Sequence, residues 1–324
     1  MRAGWQANSA RPSERVKSPL LSICTHRQWR LFAGCCLVVC LLPTTNRSQT
    51  VPRSVTVAVL DFAEANFGKV ASERFASKLA GASALTIVDR DLGRAAARGA
   101  GYSGSLNLSL SEARDLGAAI GCDFYFVGDA QTVRRSPSTG PVYFESYASI
   151  FLVSARTGRL ISWERPSFEA ATAAAAEKLL LDQLAKEDTR QHYQSRLEQA
   201  QTSERQEREV SLERPSPGIP VVDGAADDAK DSETFRTPRP YRRLKPAYPD
   251  TAARAEAEGT VDVLVDIDQA GEISRVDVAR WAGFGLDEAA LGTVRQLHFF
   301  PATRDGIAIP IRVLLRYNFR KPPK

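Results

Sequence analysis

Three histidines (His26, His192 and His298) and five cysteines are the residues of this 324-residue chain best suited to proton transfer, nucleophilic attack or metal binding. Such chemistry needs partners, either a base beside its nucleophile or several ligands around one ion. The histidines stand far apart in segments of different character, and His298 beside Phe299-Phe300 reads as structural. Cys24, Cys35, Cys36 and Cys40 crowd into the N-terminal leader, so Cys122 has no intramolecular disulfide partner in the body. Flanked by Gly121 and the apolar run Phe124-Tyr125-Phe126-Val127, Cys122 reads as a small buried thiol where a strand begins. No metal-ligand spacing, phosphate-cradling glycine loop or Ser/His/Asp set is recognisable. We expect no catalytic residue, no metal and no cofactor; the chain does not read as an enzyme.

What remains is the chemistry of the backbone. An unpaired strand edge presents N–H and C=O groups that can bind a foreign extended segment. The C-terminal part has the pattern to build such an edge. After Lys245-Pro246-Ala247-Tyr248-Pro249 and an Ala-rich stretch, Gly259 leads into a strand where Val261, Val263, Val265 and Ile267 alternate with Asp262 and Asp266. A turn at Asp268-Gln269-Ala270-Gly271-Glu272, a second strand, and a helix opened by Leu286-Asp287 follow. After Phe300-Pro301, a final strand is expected over residues 307–319. It carries Ile307, Ile309, Ile311, Val313, Leu315, Tyr317 and Phe319 on one face, with Arg312, Leu314 and Arg316 on the other. The helix has one apolar side, Leu286, Ala289, Ala290, Val294 and Leu297, so a three-stranded antiparallel sheet packed on helices is predicted. Pro310 cannot donate to a ladder, which puts the last strand at an edge. Tyr248-Pro249 should start a helix, and Trp281 and Phe284 should pack in a core.

This layout, over residues 236–321, resembles the C-terminal domain of TonB. The resemblance implies a periplasmic domain that grips outer-membrane receptors and passes inner-membrane energy to them. In that family a short receptor segment pairs with the final strand. Carried over, this implies Arg312, Leu314 and Arg316 as peptide-binding residues on the strand, with Lys245 and Pro246 contributing from the motif before it. Tyr248, Pro249, Gly259 and Pro301 are the matching motif or structural positions. Energy-transducing members often carry Gln where this chain has Lys245; the backbone mode of binding does not depend on that side chain.

Residues 54–185 read as a mixed-sheet α/β domain. A nearly unbroken apolar strand at 55–62 is the mark of a sheet covered on both faces. A helix over 70–81, a strand at 85–88, a helix opened by the capping box Ser109-Leu110-Ser111-Glu112 and a strand at 124–129 follow. Two further strands, at 142–154 and 160–164, join through Arg156-Thr157-Gly158-Arg159. On Ala58-Val59-Leu60-Asp61-Phe62, Ile87-Val88-Asp89-Arg90, the run from Leu116 to Gly121, Val127-Gly128 and Arg156-Thr157-Gly158, this stretch is similar to the CsgG, FlgO and TolB N-terminal families, which implies an envelope assembly or accessory role. A helix is predicted over 168–184, and alternating charge over 186–213 predicts a solvated helical spacer. Residues 215–239, rich in Pro, Gly and acids, read as a flexible linker, so 186–235 joins the two domains.

The net charge of +5 does not point to nucleic acid, because residues 1–50 hold seven Lys/Arg against one acid and leave the remainder at −1. Within that leader the twelve-residue apolar run 31–42 suits a signal peptide or a short anchor better than a spanning helix. Phe32-Ala33-Gly34-Cys35 is similar to a lipoprotein cleavage box, though it starts the apolar run instead of ending it. Ser22 and His26 have the spacing of the TonB membrane-anchor motif, but Arg27, Gln28 and Arg30 interrupt what should be an apolar helix. The expected protein is therefore periplasmic, secreted or tethered to the inner membrane in a Gram-negative envelope. Its expected partners are an outer-membrane transporter segment and, where the leader is retained, an inner-membrane proton-driven motor complex; a homodimer is a further partner. The alternative is a non-energised envelope adaptor that uses the same C-terminal fold for docking.

Overall fold

The structure, a computed structural model, describes residues 54–213, 222–223 and 234–321. The leader lies outside these residues, together with the expectations about its cleavage, lipidation and anchoring. No helix among the described residues is long and apolar enough to cross a membrane.

The first part of the described chain runs β1 (Val55–Val59), α1 (Asn66–Leu79), β2 (Leu85–Ile87), α2 (Arg90–Gly99), α3 (Leu110–Ile120), β3 (Phe124–Arg135), β4 (Tyr143–Ser154), β5 (Leu160–Glu164), β6 (Ser167–Ala170), α4 (Ala173–Leu184) and α5 (Glu187–Glu213). The strands form one mixed sheet in the order β2-β1-β3-β4-β5, with β6 also pairing β4. The β1 pairings are parallel and the β3–β4 ladder is antiparallel. Both faces are covered, as the apolar β1 requires. Phe75, Leu79, Leu180 and Leu184 pack on one side, and Leu108, Leu116, Tyr125 and Val127 belong to the core on the other. The predicted capping box is present: Ser109 Oγ accepts from the Glu112 amide at 3.2 Å, while Ser109 N–H donates to Glu112 Oε2 at 2.7 Å.

Three local differences have physical causes. Helix α2 sets Arg90, Arg94 and Arg98 along one side and buries only the small Gly93 and Ala97 on another, and its first amides are capped by Asp89, which accepts from Asp91 and Leu92 at 3.0 Å each. The helix expected over 168–184 starts only after Thr172, whose hydroxyl accepts from the Ala175 amide. The residues before it join β4 as β6. Helix α5 is not the solvated spacer its charges suggest, because Tyr193, Leu197 and Ala200 are buried on one stripe. The Tyr193 ring meets Phe75 and Phe126 edge-on at 5.0 and 5.3 Å. A few apolar residues at helical spacing are enough to dock a helix whose remaining face is charged.

The second part runs β7 (Val222–Asp223), β8 (Phe235–Arg236), β9 (Arg239–Pro240), α6 (Asp250–Ala255), β10 (Gly259–Ile267), β11 (Ile273–Arg280), α7 (Leu286–Val294), β12 (Phe299–Phe300), β13 (Ala302–Arg304), β14 (Ile307–Ile309) and β15 (Ile311–Phe319). The predicted antiparallel set of three is β11-β10-β15, with the two-residue β7 added in parallel beyond β15. Val261, Val263 and Val265 are fully buried and Ile267 is almost so, against Leu286, Ala290 and Val294 of α7. The expected strand over 307–319 is two strands. Pro310 ends β14, which pairs β13, and Ile311 begins β15, which pairs β10 residue for residue to Phe319.

The two parts share a core. Trp281, 2 % exposed, stacks on Phe151 at 5.9 Å, and its Nε1–H donates to the Gly158 carbonyl at 3.0 Å. Its own amide donates to Leu108 O at 3.1 Å. Asn107 Nδ2 donates to the carbonyls of Thr260 and Trp281 at 2.8 and 2.6 Å, while its Oδ1 accepts from the Thr260 amide at 3.0 Å.

Candidate functional site

Strand β15 lies beside β10 through nine consecutive antiparallel pairs, from Ile267↔Ile311 to Gly259↔Phe319. On its other flank, β7 pairs only with Ile311 and Arg312. From residue 313 to 319, no strand among the described residues pairs with that side. Among the described residues the open stretch is thus shorter than expected, because Pro310 and β7 take its start.

Alternation along β15 gives the edge two unlike faces. On the helix-packed side Ile311 and Phe319 are buried, yet Val313, Leu315 and Tyr317 between them are only half-buried. Their partners across the ladder in β10 are fully covered. An apolar row at a sheet edge that lacks a neighbour on one side leaves room for side chains from a further strand. Desolvation by the row raises the Tyr317 hydroxyl above its ordinary value.

On the opposite face the charges are already matched. Arg312 makes a fork with Asp266 at 2.6 and 2.7 Å, and Arg316 does the same with Asp262 at 2.7 and 2.8 Å. Both are directly opposed residues in the β10–β15 register. Asp262 is 5 % exposed and also lies 3.6 Å from Arg280 Nε. Arg280 in turn reaches Glu112 at 3.1 Å. Glu112 sits below the usual carboxylate range because the Ser109 backbone and hydroxyl donate to it, with Arg280 adding to the effect. Leu314 stands between the two arginines, half-buried and opposite Leu264.

The other sequence-identified residues divide into two groups. Tyr248 Oη donates to Ala257 O at 2.6 Å and its ring packs on the C-terminal core; Pro249 is the N-cap of α6. Gly259 begins β10 where a Cβ would come within 2.8 Å of Ala282 Cβ, and Pro301 sits half-buried between β12 and β13. Lys245 is exposed and Pro246 half-buried in the extended stretch ahead of α6. No hydrogen bond or ion pair among the described residues brings either to β15. The structure thus gathers Arg312, Leu314 and Arg316 on one strand, while Lys245 and Pro246 lie in the stretch ahead of α6. Asn107 and β7 were not found by reading the sequence, because neither carries a local motif.

No group of three or more His, Cys, Asp or Glu that could hold a metal occurs among the described residues. Cys122 has no thiolate character, since burial pushes its thiol up to about 12.

A small α+β domain with one partly open strand edge is what the geometry defines. Residues 245–320 match the family model of the Gram-negative bacterial TonB protein C-terminal. Among solved structures, the C-terminal domain of TonB from Pseudomonas aeruginosa is 21% identical, covering 29% of this chain and 93% of that one, with a TM-score of 0.24. Two further solved structures are also similar. Lipoprotein GNA1162 from Neisseria meningitidis is 11% identical over 40% of this chain and 98% of that one, with a TM-score of 0.28. The LpoB C-terminal domain from Salmonella enterica is 16% identical over 37% and 85%, with a TM-score of 0.25. At these TM-scores the likenesses do not bear on function. No curated protein matches the chain. The likeness of residues 54–185 to the CsgG, FlgO and TolB families remains an expectation.

Proposed function

We propose that the chain is a TonB-like protein of the Gram-negative envelope that binds an outer-membrane transporter by strand addition. An extended transporter segment lies along residues 313–319 of β15, its backbone completing the ladder and its alternate side chains covering Val313, Leu315 and Tyr317. The observation that carries this reading is the half-buried apolar row beside a flank that no described strand pairs, in the stretch that matches the TonB C-terminal family. Arg312 and Arg316 serve the guest indirectly, since their forks with Asp266 and Asp262 hold β15 flat against β10. In the energised form of this proposal the leader stays in the inner membrane and a proton-driven motor acts through it.

A second reading, a non-energised adaptor, is favoured by one observation. Trp281 anchors the C-terminal part in the core of the α/β part, so the two act as one docking body. Mass determination of the mature N-terminus in membrane and soluble fractions separates the two forms; a cleaved, soluble product removes direct coupling. Strand addition itself is tested by placing a photo-crosslinking residue at Leu315 or Tyr317 in cells and identifying the adducts. Adducts with an extended periplasmic segment of an outer-membrane transporter are expected. Adducts only to other surfaces, unchanged by disruption of β15, would overturn the proposal.

A further inference from the structure

The start of the β15 edge is not empty. Val222 and Asp223, from the connection between α5 and the C-terminal part, pair with it in parallel, Val222 opposite Ile311 and Asp223 opposite Arg312. This pairing reproduces, within one chain, the kind of contact required of a guest. We infer that the segment carrying Val222–Asp223 is an internal ligand of the β15 edge, which an outside segment must displace to seat along the full strand. The inference rests on the strand-addition reading above.

Three features shape this internal ligand. It belongs to the same chain, between α5 ending at Glu213 and β8 starting at Phe235, so its pairing with the edge is intramolecular and independent of protein concentration. Its pairing is also short. Among the described residues it covers Ile311 and Arg312 alone and does not reach Val313, Leu315 or Tyr317. The internal segment can therefore hold the edge without satisfying it. Finally, its direction specifies the competitor: an extended segment running parallel to β15, with apolar side chains at the alternate positions in register with Val313, Leu315 and Tyr317.

The test uses the full chain and a fluorescein-labelled synthetic peptide of residues 218–226 carrying Gly224→Val and Ala226→Val, read by anisotropy. Val222→Pro in the full chain removes an amide from the internal segment while leaving both cores unchanged in sequence. Binding at least fivefold tighter to Val222→Pro than to the wild type supports the inference. So does faster hydrogen exchange of the Ile311 and Arg312 amides in that variant without peptide. Equal affinity and equal exchange in the two chains, with binding still lost when β15 is disrupted by proline, overturns the internal ligand and leaves strand addition standing. Absence of binding to either chain overturns both.

Discussion

The C-terminal sheet has two outer strands, and they end in opposite situations. Strand β11 runs into the α/β part. Arg280 bridges Ser109, the Trp281 amide bonds Leu108, and the indole fills a slot beside Phe151. On the flank away from β10, strand β15 pairs, among the described residues, with Val222 and Asp223 of β7 alone, and it keeps a half-buried apolar row beyond them. One end is closed by side chains in a shared core, which costs several kcal/mol to open. The other is closed by backbone pairing worth about 1 kcal/mol per net hydrogen bond. An edge meant for exchange must be held weakly, while the opposite edge fixes where it stands.

Breaking the closed edge should have the largest effect. Trp281→Ala is expected to cost about 3–5 kcal/mol by denaturant unfolding, from lost burial and the cavity left against Phe151. A loss below 1 kcal/mol would mean that the two parts do not share a core.

The turn after Trp281 offers a pH-dependent version of the same test. Asp287 accepts from the Ala282 and Gly283 amides at 2.9 and 2.8 Å, yet burial raises its carboxyl to about 6 from an ordinary 3.8. A raised carboxyl favours the folded state at pH values below the unfolded pKa, and that contribution is lost as pH rises through the folded value. Between pH 4 and pH 7 the wild type should lose up to about 3 kcal/mol relative to Asp287→Asn. Parallel pH profiles for the two proteins would refute this account.

At the open edge, neighbouring amides of a strand point to opposite sides, so prolines at Leu314 and Leu315 sample both flanks. One of the two should lower peptide capture at least tenfold in a folded protein, and the other should unfold the sheet by breaking its ladder with β10. Equal, full binding in both folded variants would exclude strand addition on β15. The smallest effect is expected for Arg316→Ala, which frees Asp262 from its fork but leaves Arg280 nearby. Capture should weaken no more than about threefold, because Arg316 is itself exposed and Arg280 stays beside the buried Asp262. A loss of tenfold or more would show that the guanidinium touches the guest directly.

Much of this arrangement was legible residue by residue. Val261, Val263, Val265 and Ile267 fixed the inward face of β10 through strict alternation, and Ser109 with Glu112 marked the start of α3. The long charged helix was legible as a helix but not as a packed one. Tyr193, Leu197 and Ala200 supply too few apolar residues for composition to reveal a stripe that only the facing Phe75 and Phe126 make meaningful. Pro310 was read as an edge signal; in the structure it is the point where one strand becomes two and changes partner.

The sequence by itself determined the local periodicities, the caps and the composition of each strand face, because these depend on residues two to four positions apart. It also determined that arginines would share one face of the last strand and aspartates one face of β10; that Arg312 meets Asp266 and Arg316 meets Asp262 is a matter of register. Which edge is closed was decided only by tertiary structure. The pairing of Trp281 with Phe151, Asn107 with Thr260 and Val222 with Ile311 joins residues widely separated along the chain. Such contacts form only after both surfaces exist, and no local pattern announces them.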